Sequence, residues 1–117
     1  MPALIIEEKC REMIVFGYQA IKQFPKHETH VLGAEIRRSM LNMQRLIITA
    51  MKRYHKKTTL TELDIELAAL KRMIRLAKDL RYIDISRYQR WIVQIVEIGK
   101  MTGGWIKSIN NKQANAL

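Results

Sequence analysis

The chain has 117 residues, 48% apolar and 27% charged, with 21 Lys and Arg against 11 Asp and Glu for a net charge of +10. That length fits one globular domain able to bury a core without staples, and 5 Gly with 2 Pro are too few for a collagen-like or low-complexity chain. A single cysteine, Cys10, excludes an intramolecular disulfide, no apolar run approaches the roughly 18 residues of a membrane helix, and Met-Pro-Ala-Leu-Ile-Ile meets Glu7, Glu8 and Lys9 at once, unlike a secretory leader. The expectation is a cytoplasmic protein with no membrane partner.

Helical periodicity predicts four elements. The first runs from about Ile5 to Phe24, with Ile6, Cys10, Met13, Gly17, Ile21 and Phe24 on one face and Pro25 ending it. Pro25 to Thr29 form a corner, and Thr29 is the expected cap of a second run, His30 to about Tyr54, whose apolar stripe is Leu32, Ile36, Met40, Met43, Ile47, Ala50 and Tyr54. After the corner His55-Lys56-Lys57-Thr58, Thr59 with Glu62 reads as a capping box opening a third run to about Leu80. Ser86 with Gln89 repeats that signature for a fourth run, Arg87 to about Ile109, before a polar tail at 110–117. No segment alternates as a strand would. The predicted fold is all-α: an up-down-up-down antiparallel four-helix bundle over residues 1–109.

The charge is unevenly placed. Residues 1–36 hold 4 bases and 5 acids, residues 58–85 hold 5 of each, and residues 86–117 hold 5 bases and 1 acid. Residues 37–57 hold 7 bases (Arg37, Arg38, Arg45, Lys52, Arg53, Lys56 and Lys57) and no acid. Arg38, Arg45 and Lys52 recur every seven residues and so drift only about 20° per step, forming one ridge with Asn42 and Thr49 in its gaps. Lys71, Arg75 and Lys78 form a second stripe on the third helix, flanked by Arg72 and Arg81. A solvated surface accounts for any one stripe. It accounts less well for 21 successive residues without an acid, since mixed signs gain a few tenths of a kcal/mol per pair. The pattern points to a polyanion-binding surface.

The third helix carries apolar residues over half its circumference: Leu63, Leu67, Leu70, Met73, Ile74, Leu76, Ala77 and Leu80. Either a broad internal core or a second apolar contact, such as a subunit interface, uses that surplus. Gly103 and Gly104, each costing about 1 kcal/mol inside a helix, call for a close helix approach or a kink. Trp91 and Trp105 lie four turns apart and read as core anchors.

Chemistry is sparse. His27 and His30 stand three apart around Glu28 with no further ligand to complete a metal site, and Cys10 lies on an apolar face. Gly103-Gly104 lacks the setting of a phosphate loop. The reading is a non-enzyme with no catalytic, metal or cofactor-binding residues.

Several strings resemble the Avd proteins, the accessory variability determinants of diversity-generating retroelements. Phe24-Pro25-Lys26-His27-Glu28 with Val31-Leu32-Gly33 and Ile36-Arg37-Arg38 is similar to their first corner. Arg75-Leu76-Ala77-Lys78-Asp79-Leu80-Arg81 is similar to their third helix, and Gly99 with Gly103-Gly104-Trp105-Ile106-Lys107-Ser108 to their closing segment. The wider grouping includes four-helix-bundle proteins encoded in intervening sequences of 23S ribosomal RNA genes. The resemblance implies a homopentameric barrel that binds RNA or DNA, associates with the retroelement's reverse transcriptase, and supports mutagenic retrohoming from a template-repeat RNA. It implies phosphate contact at Arg37, Arg38, Arg45, Lys52, Arg53, Lys71, Arg75, Lys78 and Arg81, to which the charge pattern adds Lys56, Lys57 and Arg72.

Overall fold

The computed structural model describes residues 2–116, with the side chains of 3–112. Four helices account for nearly all of it: α1 (Pro2–Ile21), α2 (Leu32–Lys52), α3 (Lys57–Asp79) and α4 (Ile85–Ala116). Among the described residues there is no strand. Each helix packs on its two neighbours in a ring, α1 on α2 and α4, and α3 on α2 and α4. The contacts fix the directions. Along α1, Lys9 faces Glu97 and Phe16 faces Trp91 of α4; between α2 and α3, Ser39 meets Glu66 and Arg53 meets Thr59. Numbering rises on one helix as it falls on the next, so the bundle is antiparallel throughout.

The core follows the predicted stripes. Ile6, Cys10, Met13, Ile21 and Phe24 of the first segment meet Ile36, Met40, Met43, Ile47 and Ala50 of α2, Leu60, Leu63, Leu67, Leu70, Ile74 and Ala77 of α3, and Trp91, Ile95 and Ile98 of α4. Each large side chain so buried contributes about 1.5–3 kcal/mol. Gly17 belongs to this face for steric reasons: a Cβ there would lie 2.5 Å from Met40 Sδ and 2.8 Å from Trp91 Cζ2. Trp91 is fully buried and meets Phe16 edge-on with centroids 6.3 Å apart, whereas Trp105 is half-buried.

Element ends depart from the sequence reading for identifiable reasons. α1 begins at Pro2, where a missing amide proton costs no helical bond, and ends at Ile21. Lys22, Gln23 and Phe24 tighten into i→i−3 bonds before Pro25, because the residue preceding proline is driven out of the helical region. Thr29 does not cap α2: its hydroxyl donates to the Lys26 carbonyl at 2.8 Å, and Val31 occupies the N-cap without a side-chain bond. α3 opens two residues before Thr59, which is buried in its first turn. Asp84, not Ser86, caps α4, its Oδ1 accepting from the Arg87 amide at 2.7 Å. The Arg87 amide, followed by its guanidinium, holds that carboxyl below the usual aspartate range. α4 continues through the polar residues 110–116. At 32 residues it measures about 48 Å against about 30–35 Å for the others, and the long axis is 54 Å.

Candidate nucleic-acid interface

The α2 ridge points away from the core. Arg38, Arg45 and Lys52 are all exposed on it. Arg38 pairs with Glu35 at 2.6 Å and Arg45 donates to Asn42 Oδ1 at 3.0 Å, while Lys52 has no partner among the described residues. Asn42 and Thr49 do not fill the ridge; they lean toward α3, where Asn42 donates to Glu66. The exposed gaps belong to Leu41 and Ile48, 38% and 42% accessible. The ridge therefore alternates cation and aliphatic, a pattern hidden when only charges are counted.

The second stripe lies elsewhere. Lys71 and Arg75 are exposed, and Lys78 sits over the Tyr88 ring of α4 at 4.7 Å, so this line falls on the α4 side of α3. At about 100° per residue, Ile65, Ala69, Leu76 and Leu80 form an exposed apolar line of their own on α3, within about 60° of each other and on its α2 side. It parts the two basic lines, which do not merge into one patch. Leu76 and Leu80 thus lie outside the internal core. Below this line a groove of about 490 Å³ opens between α2 and α3, its walls including Arg45, Arg53, Glu62 and Glu66. Acids face its cations.

Several cations serve the scaffold. The half-buried Arg37 donates to the Thr29 carbonyl at 2.9 Å and ties the first corner to α2. Lys56 turns its ammonium back onto the carbonyls of Ala50 and Arg53, closing the C-terminus of α2, where positive charge also suits the helix dipole. Arg72 donates to Ala68 at 3.2 Å, Lys78 pairs with Asp79 at 3.3 Å, and Arg53 donates to Thr59 Oγ1 at 3.4 Å. Arg81 follows α3 with φ 62°, a left-handed conformation that usually falls to glycine. Its amide donates to Lys78 and that of Tyr82 to Ala77, the bond pair of a Schellman ending.

What the fold does gather is the corner between α2 and α3. Lys52, Arg53 and Lys57 are exposed there within six residues, around Tyr54 and His55. Tyr54, placed by its spacing on the apolar stripe, is instead 91% accessible, because α2 stops at Lys52 and Arg53 turns extended (φ −85°, ψ 147°). The exposed Lys107 and Lys112 of α4 run to the same end of the bundle. The signal available in the sequence was an aromatic inside an acid-free run of cations rather than its place in a 3.6-residue period.

Among the described residues the geometry assembles no cluster of reactive groups. His27 and His30 lie exposed in the first corner, and among the described residues no three His, Cys, Asp or Glu side chains converge as a metal would require. Burial, and then the Glu7 charge, push the Cys10 thiol up to about 12, which leaves it a small core residue. Among the described residues no helix is long and apolar enough to cross a membrane. No curated protein matches the chain. A family model described as bAvd-like matches residues 4–109, from the first turn of α1 to well along α4, and the chain belongs to that bAvd-like family.

Proposed function

We propose that this protein is a non-catalytic cytoplasmic accessory factor of a diversity-generating retroelement. It binds RNA or DNA through phosphate contacts and associates with the element's reverse transcriptase during copying of template-repeat RNA. The observation that carries the reading is electrostatic: residues 37–57 place seven bases and no acid on one helix and its corner. Membership of the bAvd-like family supports it. Cationic lines without base-reading groups give sequence-tolerant, salt-sensitive binding. A homopentamer would cover the apolar line Ile65, Ala69, Leu76 and Leu80 and multiply the positive field.

The test is a salt titration of binding to structured RNA and duplex DNA. Replacing Arg38, Arg45 and Lys52 together with Gln weakens binding and flattens the slope of log K against log salt by about 0.9 per lost duplex phosphate contact. An unchanged slope removes that ridge from the interface. Solution mass decides the subunit number.

Leu41 and Ile48 between the cations favour a second reading, a protein-interaction scaffold like the proteins of 23S ribosomal RNA intervening sequences, with no retroelement role. In that case capture of a protein partner survives nuclease and fails in high salt.

A further inference from the structure

We propose that Tyr54 and His55 form a stacking platform for unpaired bases, so that the α2–α3 corner takes single-stranded RNA or DNA in preference to duplex. This rests on the nucleic-acid reading above and specifies which form of nucleic acid is held at that end. Three features of the corner carry it.

Accessibility comes first. Tyr54 is the most exposed large apolar side chain among the described residues, at 91%, and it contributes nothing to the core. Its ring meets His55 at a centroid distance of 4.8 Å and an interplanar angle of 87°. Both residues are exposed, and an edge-to-face pair covers only one of its ring faces by the partner ring. Flat, open, apolar faces beside cations are what an unstacked base needs, and every base has a π-face to offer. A duplex keeps its faces stacked internally and offers only its backbone.

Rigidity is the second feature. The connection has four residues and is tied on both sides: the Arg53 amide donates to the Thr49 carbonyl at 3.0 Å, and Lys56 clamps the carbonyls of Ala50 and Arg53. A platform already held in place loses less entropy on binding. Charge is the third. Lys52, Arg53 and Lys57 flank the rings within three residues, and the nearest acid along the chain is Glu62, on the wall of the α2–α3 groove with Arg53. Phosphates on either side of a stacked base therefore find ammonium and guanidinium groups.

The experiment compares a labelled single-stranded RNA 12-mer with the same sequence as a blunt duplex, by fluorescence anisotropy at one salt concentration and then across a salt series. Tyr54→Ala lowers single-strand affinity about tenfold or more, the effect of losing one stacked base, while duplex affinity moves less than twofold. Tyr54→Phe and Tyr54→Trp restore single-strand binding, which a purely polar contact would not. Thermal melting of Tyr54→Ala matches the parent, since the ring is outside the core. The platform is overturned if Tyr54→Ala and His55→Ala bind the single strand as the parent does, or if both forms weaken equally. If the parent protein binds neither form in dilute salt, the nucleic-acid reading itself fails and the platform with it.

Discussion

Ser39 of α2 donates its hydroxyl to Glu66 of α3 at 2.8 Å, joining two helices through a polar contact set inside an apolar interface. Ser39 is buried, and Asn42 donates to the other Glu66 oxygen at 3.3 Å. One carboxylate thus satisfies two polar side chains of the neighbouring helix. Glu66→Ala leaves the Ser39 hydroxyl buried without this acceptor and destabilises the fold by about 1–3 kcal/mol in urea denaturation. Ser39→Ala costs less, because the half-buried carboxylate still reaches water, and the double variant loses less than the sum. Removing Glu66 also raises the net charge, so polyanion binding at low salt holds or strengthens. Weaker binding by the folded variant would place Glu66 itself in the interface.

The glycines separate into two kinds with opposite expected signs. At Gly17 a methyl group collides with Met40 and with the ring of Trp91, which cannot move away. Gly17→Ala therefore destabilises by about 1–3 kcal/mol despite its better helix propensity. Around Gly103 and Gly104 an added Cβ meets nothing within 4 Å, so no neighbouring helix of this chain needs them small. Each replacement by Ala in the isolated protomer stabilises by about 0.5–1 kcal/mol. Should Gly103→Ala and Gly104→Ala instead lower the assembly mass of the protein in solution, the pair admits the close approach of another subunit.

The contrast marks where sequence reasoning holds. Buried stripes were legible because burial imposes a period: Ile36, Met40, Met43 and Ile47 lie on the face their spacing predicts. Caps were less legible, since Thr29, Thr59 and Ser86 all have the right chemistry and local geometry decides among them and their neighbours. The acid-free stretch identified the charged helix. It did not reveal that Lys56 and Arg37 turn inward to backbone carbonyls, that aliphatics interleave with the ridge, or that the two basic lines occupy different sides. Those facts depend on how α2 and α3 are rotated against each other. Tyr54 leaves the apolar stripe because α2 ends two residues before it, so the helical period does not reach it.

Cys10 provides a pH-dependent probe of the core. Its side chain is fully buried, and burial raises the thiol from an ordinary value of 9.0 to about 12. The folded state therefore holds its proton where the unfolded state loses it. This contribution to stability is complete below pH 9 and declines as pH rises toward 12, by about 1.4 kcal/mol per unit. Between pH 7 and pH 10.5 the urea midpoint of the parent falls further than that of Cys10→Ala, the difference isolating the thiol from the lysines. At pH 8 a thiol reagent modifies the folded protein only as fast as the core opens. Modification at the rate of a free cysteine would mean that α1 does not stay packed on the bundle.

Arg81 combines a left-handed backbone with a charge proposed for phosphate contact. Its φ of 62° places an L-residue in the left-handed region, which costs roughly 1–2 kcal/mol and is relieved by glycine. The Schellman bonds to Lys78 and Ala77 need only the backbone, so Arg81→Gly keeps them and raises the urea midpoint. Arg81→Ala removes the same charge without relieving the strain, and its stability stays near the parent's. Comparing the two variants in a salt titration with RNA separates charge from backbone. If both lose affinity together, the guanidinium touches phosphate. If neither does, Arg81 belongs outside the interface, and a glycine at that position gives a more stable protein that binds as the parent does.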